Sequence, residues 1–357
     1  CGGTTGEKCE VYPDKSCVWV RIYKRSKQRQ NGIPILISSP DSNLHHTSSY
    51  LNFLNGSDKQ TRIPLDYLPF VKSEECQTKS KLEQKLKQGR FVVTCEVRAP
   101  REGDFNHMMR EARLIGNSFD AINVTAYLNG KPSLPSALAA AKLAEEGFEA
   151  ISQATCRDHT KTSFVSELLQ NNMNGVHNIL CLTGDSYVGT PKIKQVFDMD
   201  SSLMLYEARH IREKSEINFT KQKLKVAPRQ FLGAAINPFS TPLVVPVQRL
   251  KQKAAAGADF IQTQIILDIP GFQNFMDRVV EEKINEKLFI LAGIPVIVSK
   301  NAYKMLPHIP GVKLPPEVKK RFDNTDDIRK EGIAFAREML VEMQNMDGVS
   351  GAHLMLF

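Results

Sequence analysis

The sequence predicts an α/β protein, a (β/α)8 TIM barrel preceded by a small cysteine-containing extension. Three observations carry this. Across residues 79–357, eight short apolar runs alternate with segments of helical periodicity, the rhythm of a parallel barrel. No glycine-rich dinucleotide loop follows the first run, which continues as Glu96-Val97-Arg98-Ala99-Pro100, so a doubly wound open sheet is the poorer fit. The 357 residues also exceed one ordinary domain, and residues 1–78 differ in texture from the rest of the chain.

In the extension, residues 1–17 hold Cys1, Cys9 and Cys17 in a Gly-, Lys- and Asp-rich stretch without apolar periodicity. Val18–Tyr23 carries the only tryptophan, Trp19, and reads as a short strand or the start of a helix. Asn31-Gly32 and Ser39-Pro40-Asp41-Ser42 are turn signals. The domain boundary is therefore placed between residues 78 and 79. The strand-like runs are Phe91–Val97, Phe119–Tyr127, Phe148–Thr155, Val176–Thr183, Phe231–Ala235, Asp259–Leu267, Leu288–Val298 and Gly351–Phe357. Helical patterns lie at Leu134–Glu146, Ser163–Asn171, Ser202–Lys214, Val245–Ala256, Phe272–Val280 and Ile328–Met343. Gly147, Gly175, Gly257 and Gly348 sit where a helix must stop before the next strand.

Composition narrows the function classes. With 41% apolar and 24% charged residues the chain is neither disordered nor fibrous. No apolar run is long enough to span a bilayer, and the start is no signal peptide. The net charge of +8 suits phosphate-bearing ligands or an acidic partner and falls short of a nucleic-acid-binding tail. The basic run Arg21, Lys24, Arg25, Lys27 and Arg29 reads as a solvated face, with a docking patch as the alternative. Seven cysteines are too few for a disulfide scaffold, so a reducing cytoplasm is the expected setting.

A barrel builds its site at the carboxyl ends of its strands, and those positions are polar here. Glu96 and Asp185 converge on one mouth. Glu96 lies between Cys95 and Val97, an apolar setting that raises a carboxyl pKa and suits a general acid; pairing with Arg98 or Arg157 is the structural alternative. Asp185 follows Gly184, whose missing side chain allows close approach to a ligand, but a helix N-cap would also use an Asp there. Gln264 is an amide in an otherwise apolar strand and suits a pterin, flavin or nucleobase edge. Lys253 could reach a phosphate or serve as a helix C-terminal cation. His107, His159, His177 and His353 lack metal spacing and read as ordinary core or surface residues.

These strand ends spell a pattern. Thr94-Cys95-Glu96-Val97, Asn123-Val124-Thr125, Thr155-Cys156-Arg157-Asp158 and Leu182-Thr183-Gly184-Asp185 resemble methylenetetrahydrofolate reductases. So do Val196–Ser201, Ala234–Pro238 and Ala256–Gln264, in the same order. The resemblance covers about residues 80–357. The first segment, with Cys1-Gly2-Gly3, Gly6–Val11 and Cys17–Tyr23, resembles a cysteine-containing domain found with reductases of anaerobic bacteria.

The resemblance implies a flavin, usually FAD with FMN as the alternative, and reduction of 5,10-methylenetetrahydrofolate to 5-methyltetrahydrofolate. It assigns Glu96 as the acid and Asp185 as the carboxylate beside flavin and pterin. Gln264 becomes the pterin amide, and Thr125, Gly184 and Lys253 become flavin contacts, with Asn237 in the flavin-side loop. Gln153 stands where many relatives have His, and Thr183 where many have Arg. Ala302 and Leu306 replace an amide and an aromatic that hold folate and nicotinamide. The expected electron source is NAD(P)H or a partner subunit, within an oligomer or larger complex. A non-catalytic barrel subunit and a pterin-binding methyltransferase are the alternatives. Cys1, Cys9 and Cys17, each separated by seven residues from the next, gain a zinc-site expectation from the same resemblance. The fourth ligand would be Cys76, His45 or an upstream residue, since the chain opens inside the motif. Trp19 and Tyr23 are expected to pack beneath that knot. Cys95, Cys156 and Cys181 read as core or rim thiols.

Overall fold

The computed structural model describes residues 4–5, 7–9, 14–26, 38–40, 62–64, 75–127, 131–185, 194–309 and 311–356. Eight parallel strands close into a barrel. They are β1 (Val92–Arg98), β2 (Ala121–Thr125), β3 (Ala150–Thr155), β4 (Asn178–Leu182), β5 (Phe231–Ile236), β6 (Phe260–Ile265), β7 (Phe289–Val296) and β8 (Gly351–Leu356). The seam pairs β8 with β1 in parallel, Gly351 opposite Val92 and His353 opposite Thr94. Each strand lies within, or within a residue of, an apolar run in the sequence. The runs overshoot where apolar residues such as Phe119, Phe148 and Leu267 cover the strand ends in loops.

The helices are α1 (Val18–Ser26), α2 (Lys81–Lys87), α3 (Asn106–Ile115), α4 (Ser136–Glu145), α5 (Lys161–Met173), α6 (Ser201–Lys214), α7 (Val244–Ala256), α8 (Ile269–Glu281), α9 (Lys300–Met305), α10 (Pro316–Asp323) and α11 (Ile328–Gln344). Val18–Tyr23 is thus the start of a helix. The helical patterns read from the sequence do not include α3, whose buried face is Met108, Met109 and Ala112, or the short α2. The four helix-stopping glycines all have positive φ. Gly257 is the most constrained of them: at φ 114° it ends α7, and a Cβ there would lie 2.4 Å from Arg209 Cδ.

Alternation along the strands sorts the barrel interior into tiers, because inward positions recur every second residue. The lowest is apolar. Val92, Ala121, Ile151, Leu180, Phe231, Phe260 and Leu291 pack with Leu82 and Leu86 of α2, which closes the amino-terminal end. Two residues further along, Thr94, Asn123, Gln262 and His353 form a fully buried polar tier. Asn123 and Gln262 exchange amide hydrogen bonds of 2.8 and 3.2 Å, and Thr94 Oγ1 lies 2.9 Å from His353 Nδ1. Two residues further again comes Glu96. The strand period therefore carries this carboxylate to the mouth of the barrel.

In the extension, Thr4–Thr5 pairs antiparallel with Lys8–Cys9, and Ser38–Pro40 with Arg62–Pro64. Cys17 and Val20 are buried, and α1 lies along α7. Arg21, Lys24 and Arg25 face solvent, with Lys24 paired to Glu7 at 2.5 Å, in line with a solvated face. Lys27 and Arg29 lie outside the described residues.

Candidate active site

A cavity of about 280 Å³ opens at the carboxyl ends of the strands. Of the residues singled out by sequence, Glu96, Gln153, Thr183, Gly184, Asp185, Asn237, Lys253 and Gln264 line it. Thr125 is buried at the end of β2 and is not among the side chains that line this cavity. Glu96 and Gln264 come to one cavity from far apart in the chain, which strand alternation and parallel closure bring about without local sequence contacts.

Glu96 sits on β1 with its side chain one-quarter exposed. Cys95 and Val97, the neighbours that suggested an apolar setting, are buried in the core, and the cavity wall near Glu96 mixes polar and apolar side chains. Those neighbours point outward, while Gln262 and His353 share the cavity with Glu96. The basic side chain nearest the Glu96 carboxylate is neither Arg98 nor Arg157. His353 Nε2 lies 3.8 Å from a Glu96 carboxylate oxygen. Arg157 instead pairs with Asp158 at 2.7 Å and donates to the carbonyls of Tyr127 and Asp185. His353 is one cavity residue that sequence reasoning missed. Its signal was the strand alternation Gly351, His353, Met355, which places it on the inner face opposite Thr94.

Asp185 is exposed at the rim and does not cap the next helix, a role taken by Asp200, whose side chain accepts from Leu203 N–H at 2.9 Å. Gly184 has φ 79°, and a Cβ there would meet Arg157 Cβ at 3.0 Å and Thr155 Cβ at 3.2 Å. Its missing side chain therefore allows close packing against Thr155 and Arg157 where it lines the cavity.

Gln264 reaches the cavity through a bulge. Gln262 pairs with Leu291 but Ile265 with Gly293, so two residues of β6 oppose one of β7. Thr263 Oγ1 accepts from Gly293 N–H at 2.8 Å, and Gln264 Oε1 from Ile265 N–H at 3.0 Å. Gln153 Oε1 accepts from Ala126 N–H at 3.2 Å, and Asn237 Oδ1 from Phe239 N–H at 3.0 Å. In each of these three amides a backbone donor fixes the carbonyl end.

Lys253 lies in the last turn of α7, but it is buried rather than a solvated helix-end cation. Its ammonium donates to the neutral Ser201 hydroxyl at 2.8 Å, and Thr183 Oγ1 donates to the same oxygen at 3.2 Å. Burial, then the nearby Arg249, pushes Lys253 down from 10.5 to about 8. An unfolded chain keeps this proton to about pH 10.4. Between those values the unfolded state binds more protons, so the Lys253 contribution to stability rises with pH, and it is least favourable below about pH 8. Lys253→Met is expected to stabilise the ligand-free protein at neutral pH by about 1–3 kcal/mol, a gain that shrinks toward pH 10. Urea unfolding of both proteins across this range checks it; a difference independent of pH assigns the effect elsewhere.

The metal expectation falls largely outside the described residues. Cys1 is not described, nor is the side chain of Cys9, while Cys17 is a buried free thiol. Among the described residues no group of three His, Cys, Asp or Glu side chains could hold an ion. Cys95, Cys156 and Cys181 are buried free thiols, and burial pushes Cys95 and Cys156 up to about 12. Ala302 and Leu306 are buried in the core and line no part of the cavity.

Fold and site together define a parallel α/β barrel whose mouth offers two carboxylates, fixed amides and a buried cation to one ligand cavity. The chain belongs to the methylenetetrahydrofolate reductase family, whose model matches residues 81–357. A second model, described as methylene-tetrahydrofolate reductase C terminal, matches residues 1–36. The chain is 26% identical over 222 residues to 5,10-methylenetetrahydrofolate reductase of Escherichia coli, which covers 58% of this chain and 65% of that protein. It is 23% identical over 278 residues to a probable methylenetetrahydrofolate reductase (NADPH) of Caenorhabditis elegans, covering 74% of this chain and 39% of the other. The match thus spans less than two thirds of each relative. Among solved structures, a Clostridium thermocellum protein that binds two copies of 5-methyl-5,6,7,8-tetrahydrofolic acid shares the fold. Its TM-score is 0.56 at 13% identity, over 77% of this chain and 93% of that one. No helix among the described residues is long and apolar enough to cross a membrane.

Proposed function

We propose that this chain is a flavin-dependent methylenetetrahydrofolate reductase that converts 5,10-methylenetetrahydrofolate to 5-methyltetrahydrofolate. The observation that carries the reading is the set Glu96, Asp185, Gln264 and Lys253 around one cavity at the strand ends of a barrel of this family. The donor set fits a flavin nucleotide. A buried ammonium whose hydrogen bond goes to a neutral hydroxyl favours an anionic group beside it, since a buried charge is costly. Gln153 and Asn237 offer amides to a heterocycle edge, and a bound flavin, FAD or FMN, would supply the hydride.

The chain's own groups supply the proton and the charge. The five-membered ring of the substrate opens to an iminium cation once its leaving nitrogen is protonated, and Glu96 is the acid placed at the mouth. Asp185, at the rim, offers negative charge to that cation. Gln264 presents both a donor and an acceptor to the pterin. In the tier below, His353 Nε2 lies 3.8 Å from the Glu96 carboxylate, and its Nδ1 lies 2.9 Å from Thr94 Oγ1.

Electrons enter from NAD(P)H or from a partner subunit. The test is anaerobic. The purified chain, loaded with FAD or FMN and reduced chemically, is expected to be reoxidised by 5,10-methylenetetrahydrofolate with formation of 5-methyltetrahydrofolate. A flavin-loaded chain that stays reduced in the presence of this substrate sinks the reading.

A further inference from the structure

The extension reaches the cavity through Arg249. This residue lines the cavity together with Lys253, one turn further along α7. From the other side, the Arg249 guanidinium carbon lies 5.1 Å from the centroid of the Trp19 ring. Trp19 belongs to α1, which contains the buried Val20, follows the buried Cys17 and packs against α7. Trp19 therefore packs on a cavity residue.

Two cations four residues apart on a helix repel each other by a few tenths of a kcal/mol in isolation. Placing the second of them in the interior raises that cost. An arrangement of this kind is relieved by an anion between the two heads. Arginine supplies a planar, always charged donor fork that matches phosphate oxygens, and its face can stack on an indole while its edge donates. Trp19 would hold the guanidinium plane by such stacking and limit its rotamers.

We propose that Arg249 is a second phosphate contact for the flavin nucleotide, and that Trp19 of the cysteine-containing extension positions it. The extension then forms part of the cofactor site of the barrel. The inference rests on the flavin reading above and deepens it. The recognised group is the 5′-phosphate of FMN or the pyrophosphate of FAD, so riboflavin, which has neither, separates phosphate recognition from ring recognition.

The experiment titrates the ligand-free full chain with riboflavin, FMN and FAD, following quenching of flavin fluorescence. The wild type is expected to prefer the phosphorylated flavins. Arg249→Ala is expected to reduce that preference about tenfold and leave riboflavin affinity unchanged. Trp19→Ala is expected to reduce it about threefold, with Trp19→Phe restoring most of the loss because a ring face remains. If Arg249→Ala does not fold, Arg249→Gln removes the charge at similar length and reads the same ratio. Equal losses for riboflavin and FMN, or no loss, overturn the phosphate contact. A normal ratio in Trp19→Ala, with a reduced one in the Arg249 variant, overturns the positioning role. Binding of no flavin by the wild type overturns the proposed function itself, and this inference with it.

Discussion

Replacing Glu96 with Gln is expected to abolish turnover of methylenetetrahydrofolate while leaving chemical reduction of the bound flavin intact. Gln keeps the size and hydrogen-bonding capacity of the side chain, so the contact with His353 and the shape of the cavity should survive. What it removes is the transferable proton. General acid catalysis typically contributes 10²–10⁴-fold, and a loss of about 10³-fold in kcat is the expected size. The two half-reactions are separable, which makes the result informative. Only the folate half-reaction requires protonation of a substrate nitrogen. Stopped-flow measurement of flavin absorbance follows each in turn. Near-wild-type folate turnover in Glu96→Gln would remove the residue from the chemistry, and loss of both half-reactions would make it structural.

Phe260→Ala is expected to be the most destabilising truncation at the closed end of the barrel. Phe260 is fully buried and stacks on Phe231 with centroids 5.1 Å apart and an 18° interplanar angle. Losing such a ring costs about 3–5 kcal/mol, the larger share where the walls are β-strands that cannot collapse. The space for the ring comes from Gly233 on β5. A Cβ at that position would lie 2.3 Å from Phe260 Cζ. Gly233→Ala alone should therefore destabilise by about 1–3 kcal/mol through overpacking. In the Phe260→Ala background the same methyl enters a vacated space, and its cost should largely disappear. The double-mutant cycle is expected to show a coupling of about 0.5–3 kcal/mol. Chemical denaturation of the four proteins measures it, and additive effects would falsify the packing relation between ring and glycine.

Much of this fold is legible in the sequence because its signals are local. Each barrel strand is an apolar run of suitable length, buried on both faces by neighbours and helices, and each is bounded by turn residues. Gly147, Gly175, Gly257 and Gly348 announce helix ends because a left-handed residue is needed there whatever surrounds it. The strand-end polar residues are equally visible, since a parallel barrel presents one end of every strand to the same mouth. Helices α2 and α3 were not legible. α2 is only seven residues long, and the buried face of α3 is confined to Met108, Met109 and Ala112.

His353 and Arg249 show the limit most clearly. His353 looked ordinary because its partners, Thr94 and Glu96, lie near the other end of the barrel sequence and become neighbours only when β8 closes on β1. Arg249 carries no local signal of its own, because its place beside Trp19 depends on the packing of α1 against α7. Gln264 was visible as an unusual amide, yet its orientation depends on a bulge that the residue types do not announce.

The sequence by itself thus determined an α/β barrel, the order of its strands and which residue types stand at the mouth. These come from periodicity and chain direction, which are properties of each segment. Only the tertiary structure decided that Glu96 faces His353, that Lys253 is buried, that Thr125 does not line the cavity and that the extension touches a cavity residue. Those outcomes depend on closure of the sheet and docking of helices. Burial and partners are set by segments far apart in the chain, and no local pattern records them.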